Sequence, residues 1–329
     1  MTSLRPTAAA TLTLFALLAA LPSQATPPVE EGRCELRVAT GPRGKVYEKL
    51  FADMRSVCGD EVTLCAVPSE GGLQNLSLLA ASQADVGLVQ LDTVDTMKDG
   101  DESVRRLQAV MPLHSNLLHV VTLSAGSKVE AALIMGKPVP GTGRTVMVRN
   151  FSELKGLSIA AVGSAQLMGR TLEGQLGYGM KIENVDTDDQ ALARLRAGQV
   201  QAVFTTVGWP SPFISKLRDD SFMLARFDLK PPLPYQVVKR NYQNLGALNH
   251  PFLAVPNLLL SPPYKAGGVY FKRVATLQRC LVKHLDSLQE GGFHPGWKEV
   301  READQTFGVQ MFPGAAAQTA ATTVPARRK

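Results

Sequence analysis

A chain of 329 residues with 45% hydrophobic and 19% charged side chains is long enough for about two buried cores, which excludes disorder or a collagen-like structure for the whole chain. Its formal charge of +6 sits largely at the ends: between Thr26 and Ala326, 31 cations face 29 carboxylates. That balance offers no basic face for a nucleic-acid groove, and no nucleic-acid partner is expected.

The first element is the apolar run TLTLFALLAALPSQA, from Thr11 to Ala25, behind Arg5 and ending in a small-x-small pattern. Its apolar core of about ten residues is far shorter than the roughly 18 to 20 that cross a bilayer, and the run reads as a secretory signal over residues 1–25. Cleavage is expected near Ala25, giving a periplasmic protein. No Cys stands at the cleavage point, so no lipid anchor is expected.

Cys34–Gly41 then reads as a buried strand and Val46–Gly59 as an amphipathic helix with a Gly end. VTLCAVP is a second strand, SEGG a turn, Leu73–Gln83 a helix and ADVGLVQ a third strand. Such alternation with short connections predicts a parallel sheet covered by helices. FSELKG begins a second round as one helical turn with Ser152 as N-cap, followed by strand LSIAAVG, helix Ser164–Gly177, helix QALARLRAG and strand QAVFTTV. Leu76, Leu79, Ala81 and Gln83 recur as Leu192, Leu195, Ala197 and Gln199 at an offset of 116, an internal echo of two similar lobes.

Two apolar extended segments, Leu118–Leu123 and Phe252–Leu260, read as hinge strands between the lobes. The resulting division is lobe 1 over 34–120 and 261–312, hinge and insertion over 121–149, lobe 2 over 150–251, the second hinge strand over 252–260, and a disordered tail over 313–329. Tyr270–Gln289 carries a helical apolar period and is expected to pack on lobe 1.

Four cysteines, Cys34, Cys58, Cys65 and Cys280, are separated by 23, 6 and 214 residues, spacings that match neither a paired C-x-x-C zinc site nor a redox motif. In an oxidising compartment an even count favours disulfides. Three connectivities are open, and Cys34 with Cys58 is preferred because Cys34 opens the first strand and Cys58 closes the helix after it, just before the second strand, leaving Cys65 to face Cys280 or stay reduced.

The strings GPRGKVYEKL, SEGGLQNLSLLAASQADVGLVQLD, ELKGLSIAAVGS and ALARLRAGQVQAVFTTVGWPSP, in that order, resemble the solute-binding proteins of TAXI-type TRAP transporters. The resemblance covers Val38 to Pro212 and, more faintly, Phe252 to Gln289. It implies an α/β, two-lobed, type 2 periplasmic-binding-protein fold, each lobe a parallel-rich sheet flanked by helices, joined by two hinge strands. It also implies capture of a small carboxylate such as glutamate, glutamine or 2-oxoglutarate for a membrane permease, without a cofactor, by a monomer. The family's first loop corresponds to Thr40, Gly41 and Tyr47, its second to Glu70, Gly71, Gly72 and Asn75, and its strand-end Gln to Gln90. In lobe 2 its Gly-Ser turn corresponds to Gly163 and Ser164, and its V-x-G-x-P-x-P to Val207–Pro212, beside Thr206 and with Trp209 inserted. The segment Ala125–Asn150 is an insertion relative to the family.

The residues support an anion site without the family. Open α/β sheets bind ligands outside the carboxyl ends of their strands, and Gly71-Gly72 and Gly163-Ser164 each stand between a strand and a helix start, where free N–H groups favour a carboxylate. Glu70 would oppose an anion or grip an ammonium group, which favours an amino acid. Trp209 and Tyr47 would wall the ligand. Arg43, Lys45 and Arg170 are candidate counter-charges. Among catalytic patterns, G-x-S-x-G, H-E-x-x-H and a phosphate loop are absent from the chain, and His114 and His119 are spaced for opposite sides of a strand, so neither an enzyme nor a metal site is expected. The alternative to a transporter subunit is a sensor subunit that signals to a membrane kinase, with Ala125–Asn150 as the partner surface; an enzyme on the same fold ranks below both.

Overall fold

The computed structural model describes residues 34–129, 133–135, 137–138, 143–218 and 220–314. The signal reading of residues 1–25 and the tail reading beyond Gly314 lie outside the described residues. Lobe 1 begins with β1 (Leu36–Gly41), α1 (Val46–Cys58), β2 (Leu64–Pro68), α2 (Gly72–Ala80) and β3 (Val86–Gln90). β1 pairs in parallel with β2 and β3, Leu36 opposite Leu64 and Val38 opposite Val86. α1 buries Tyr47, Leu50, Phe51, Met54 and Cys58, a single helical stripe that lies over this sheet.

After α3 (Leu91–Met97) and α4 (Glu102–Arg105) comes β4 (Gln108–Leu123), a strand of 16 residues, much longer than the expected hinge segment. In the Ala125–Asn150 segment β5 (Ser127–Val129), β6 (Leu133–Ile134), β7 (Lys137–Pro138) and β8 (Arg144–Val146) form two small two-stranded ribbons, β5 with β8 and β6 with β7. Lobe 2 follows with β9 (Ser158–Val162), α5 (Ala165–Leu176), β10 (Lys181–Val185), α6 (Asp188–Arg196), β11 (Ala202–Gly208), β12 (Phe222–Leu224) and β13 (Gln236–Tyr242). The chain returns along β14 (Ala247–Ser261) to α7 (Val269–Lys283) and α8 (Leu285–Gln289) on lobe 1.

The main sheet runs β10-β9-β11-β4-β14-β3-β1-β2, with β12 added to β4 and β13 to β14. Each lobe thus has three mutually parallel strands, and the antiparallel pair β4 and β14 joins them. Both central strands are buried almost throughout because helices or loops cover both faces. The β4–β14 register slips between Pro256 and Leu258, where a proline without an N–H interrupts the ladder. The echo at offset 116 has a structural counterpart: Leu76 and Leu79 are buried on α2 ahead of β3, as Leu192 and Leu195 are on α6 ahead of β11.

Several local expectations change. The turn at Phe151–Leu154 is capped by Asn150 in a reciprocal box with Glu153, whereas Ser152 donates its backbone N–H and its hydroxyl to Asp228. β10 escaped the pattern because it is an edge strand with only Val185 fully buried. The predicted helix Tyr270–Gln289 breaks at His284, and the bend lets Gln289 donate to the carbonyls of Trp297 and Val300. The preferred cysteine pairing is overturned: the bridges are Cys34–Cys65 and Cys58–Cys280. Parallel pairing of β1 with β2 sets Arg37 opposite Cys65 and brings the entry to β1 beside β2, while the end of α1 faces α7.

Candidate functional site: a polar seam between the lobes

Gly41 and Gly72 explain how lobe 1 shapes its side of the seam. Gly41 ends β1 at φ +87°, where a side chain is strained, and a Cβ there would stand 3.3 Å from the Tyr47 ring. A Cβ on Gly72, which opens α2, would stand 3.5 Å from the Gln90 backbone N and 3.9 Å from the Tyr47 hydroxyl. Thr40, Gly41, Tyr47 and Gln90 are therefore gathered around the start of α2, all buried. Asn75 is buried as well, yet it ties lobe 1 internally: its Nδ2 donates to the Leu88 carbonyl at 2.7 Å and its Oδ1 accepts from the Ser69 hydroxyl. Glu70 is exposed, with its backbone N–H donating to Gln74.

From lobe 2, β11 brings Thr206 and Trp209. Thr206 is buried with its hydroxyl toward the Met168 sulfur at 3.5 Å. Trp209 is half-buried at the rim; its Nε1 donates to the Asn241 carbonyl at 3.3 Å, and the Arg240 guanidinium lies over its ring at 5.4 Å. Gly163, in the left-handed region at φ +56°, and Ser164 form the turn into α5. Of the candidate counter-charges, Arg43 is exposed and Arg170 bonds Asn184 at 3.0 Å. Lys45 acts electrostatically across the seam on Asp188 at the start of α6, a carboxylate raised above its ordinary pKa mainly by burial.

The centre of the seam joins the predicted Gln90 and Tyr47 to His114, which the sequence did not place in a site, and to residues that pattern reading passed over, Asp92, Asn116, Tyr235 and Asn257. His114 Nε2 stands 3.0 Å from Asn116 Oδ1, Asn116 Nδ2 donates to Gln90 Oε1 at 2.6 Å, and Gln90 Nε2 donates to Asp92 Oδ1 at 3.2 Å. Tyr235, which precedes β13, donates to Asp92 Oδ2 at 3.2 Å and completes a hydrogen-bonded chain from one lobe to the other. Asn257 of β14 accepts from Tyr47 and donates to the His114 carbonyl at 2.8 Å. The physical signal for these residues is a polar side chain in an apolar strand, His-Ser-Asn at 114–116 and Asn257 within PNLLL. Buried polar groups in such places need partners, and here they find one another.

Burial governs the charges. His114 is held neutral, its pKa lowered to about 3 by burial and by His294 nearby. Burial raises the Asp92 pKa against the hydrogen bonds of Gln90, Tyr235 and the Thr93 backbone. Gly208, at the end of β11, packs where a Cβ would lie 3.0 Å from the His114 ring and 3.3 Å from Val46, so lobe 2 rests directly on lobe 1 here. At the rim Arg240 meets Glu299 at 2.9 Å, and Glu299 also accepts the Ser115 backbone N–H. A cavity of about 670 Å³ lies away from the seam, between α7 and Met311–Pro313; the strand ends and buried polar groups gather at the seam instead.

With its three parallel strands per lobe and two shared antiparallel strands, the chain has the mixed α/β architecture of a type 2 periplasmic-binding protein. No family model matches the sequence, and no curated protein matches it. Among solved structures it is similar to a Bordetella bronchiseptica RB50 protein at 16% identity, covering 91% of this chain and 92% of that one with a TM-score of 0.46. It is also similar to Tv2483 bound to L-arginine, at 11% identity, 84% and 94% coverage and a TM-score of 0.48. The periplasmic VFT2 domain of Bordetella pertussis BvgS is similar at 12% identity, 81% and 93% coverage and a TM-score of 0.45. The three share 11–16% identity and TM-scores below 0.5 with this chain, and the fold class rests on the chain's own strand order. Among the described residues no helix is long and apolar enough to cross a membrane.

Proposed function

We propose that the chain is a periplasmic solute-binding protein that closes its lobes over a small carboxylated solute and delivers it to a TRAP-type permease, without catalysis. The observation that carries this reading is the convergence at one seam of the carboxyl ends of β1 and β3 from lobe 1 and β11 from lobe 2, the place where open α/β sheets take ligands. Gly72 and Ser164 at helix starts would meet the carboxylate, aided by Lys45, and Asp92 or Asp188 would meet an ammonium group. An amino acid of the glutamate or glutamine kind suits that pairing better than a plain dicarboxylate. Entry of the solute requires the lobes to part, so ligand energy would be spent on the difference between open and closed states.

A thermal-shift screen of glutamate, glutamine, arginine, 2-oxoglutarate and succinate tests the reading. A ligand specific to the folded state should raise the midpoint with concentration, by about 2.7 kcal/mol of added stability at a hundred times its Kd. Unchanged midpoints across all five would remove the solute class proposed. One observation favours a second reading: the seam is closed by the protein's own chain of hydrogen bonds from His114 to Tyr235. A protein held closed in this way suits a sensor subunit that passes its closed form to a membrane kinase. Solution scattering separates the two, since a transporter subunit should be open without solute and a sensor of this kind closed.

A further inference from the structure

Away from the seam, the fold assembles four metal-ligating side chains that the sequence keeps far apart. Cys58 ends α1 and Glu61 follows it by three residues, while Cys280 and His284 stand four apart at the end of α7, on one face of the helix. The Glu61 carboxylate, the Cys280 sulfur and a His284 ring nitrogen all lie within 4.8 Å of one another. Cys58 is bonded to Cys280, so its sulfur joins the same cluster. Both cysteines are buried, His284 is half-buried and Glu61 is exposed, which leaves the cluster one side open to solvent.

We propose that Cys58, Glu61, Cys280 and His284 form a latent divalent-metal site of the zinc class, masked while the Cys58–Cys280 disulfide is closed and unmasked by a dithiol reductant. Two thiolates, an imidazole and a carboxylate are a donor set for tetrahedral zinc, whose bonds of about 2.0–2.3 Å place ligands roughly 3.3–3.8 Å apart. The cluster is already near that size, and opening the disulfide frees the two sulfurs to move to that separation. In the opening step the dithiol gives two electrons and two protons to the disulfide and itself becomes a disulfide. Zinc then displaces both thiol protons to solvent. Glu61 gives up its ion pair with Lys283, now 3.2 Å away, to reach the metal. The consequence is structural: α1 and α7 stay tied in either redox state, by a disulfide or by a metal. The proposal is independent of the solute reading, because none of the four residues touches the seam.

The test uses the full chain, oxidised or reduced with a phosphine, titrated with zinc alone or with cobalt as a spectroscopic stand-in. The oxidised protein should bind no zinc, and the reduced protein one ion per chain with a thiolate-to-cobalt charge-transfer band. His284→Ala should weaken that binding at least about tenfold. Because reduction also opens Cys34–Cys65, the Cys34→Ser/Cys65→Ser variant should behave like the parent in each redox state, binding no zinc when oxidised and one ion when reduced. Should reduction unfold the chain, Cys58→Ser provides the second measurement: it leaves Cys280 free beside Glu61 and His284, and cobalt should show one thiolate ligand. Zinc uptake unaffected by His284→Ala, uptake lost in Cys34→Ser/Cys65→Ser, absence of the cobalt band, or loss of fold in both the reduced protein and Cys58→Ser would each overturn the proposal.

Discussion

The Tyr235 hydroxyl of one lobe donates at 3.2 Å to Asp92 of the other, a carboxylate only 1% exposed. Burial raises the Asp92 pKa above its ordinary 3.8. From 3.8 up to the raised value, the folded protein keeps a proton that the unfolded chain has released, so this group's contribution to stability falls as pH rises through that window. Asp92→Asn lacks the penalty while keeping an acceptor for Tyr235. Its melting midpoint relative to the parent should therefore climb as pH rises from 3.8 through the raised value; parallel curves would show that Asp92 is ordinary.

His119, buried against Tyr242 and Phe252 with its Nε2 2.9 Å from the Tyr242 hydroxyl, has its pKa lowered to about 3 by burial. Here the unfolded chain takes up the proton first, so stability falls as pH drops from 6.5 toward 3. His114, His250 and His294 act in the same direction. His119→Gln should flatten the acid limb by about 1.4 kcal/mol per pH unit, whatever it costs at neutral pH. Urea unfolding at a series of pH values measures the slope, and an unchanged slope would mean that another group sets it.

Arg240 and Glu299 join lobe 2 to the C-terminal part of lobe 1 at 2.9 Å, with side-chain exposures of 25% and 13%. Their partial burial, and the second bond from the Ser115 N–H to Glu299, give the pair more weight than a surface bridge. A double-mutant cycle of Arg240→Ala and Glu299→Gln should return a coupling of about 0.5–3 kcal/mol. Each single variant should also raise the radius of gyration by solution scattering if the pair helps to hold the lobes shut.

Asn75 and Trp209 entered the site together from the sequence, yet the structure sets them different tasks. Asn75→Ala leaves the Leu88 carbonyl and the Ser69 hydroxyl without their partner in a buried place, and should cost about 1–3 kcal/mol of stability. Trp209→Ala, at a half-buried rim, should act on solute affinity with a smaller change in midpoint. Melts and titrations of both variants decide this; equal destabilisation would make Trp209 another packing residue.

Much of lobe architecture was readable in the chain because it is local. The stripe of Leu50, Phe51, Met54 and Cys58 identifies α1, and short Gly-marked connections between apolar runs imply parallel strands. β10 was not readable, because an edge strand buries too little to print a pattern. The length of β4 was also underestimated, since a strand central to both lobes loses the alternation that marks a half-exposed one.

By itself the sequence determined the strand–helix alternation that opens each lobe, the two-lobed plan and the strand-end glycines, all of which follow from periodicity and from backbone conformations open to few residues. Only tertiary structure decided which cysteines pair, that Asn75 braces lobe 1, and that His114, Asn116, Gln90, Asp92 and Tyr235 form one chain. The reason is distance along the chain: Tyr235 lies 143 residues from Asp92, and Cys58 lies 222 from Cys280. Contacts so remote leave no local period. What they leave is an isolated polar or sulfur-bearing residue in an apolar setting, whose partner is named only when the strands and helices take their places.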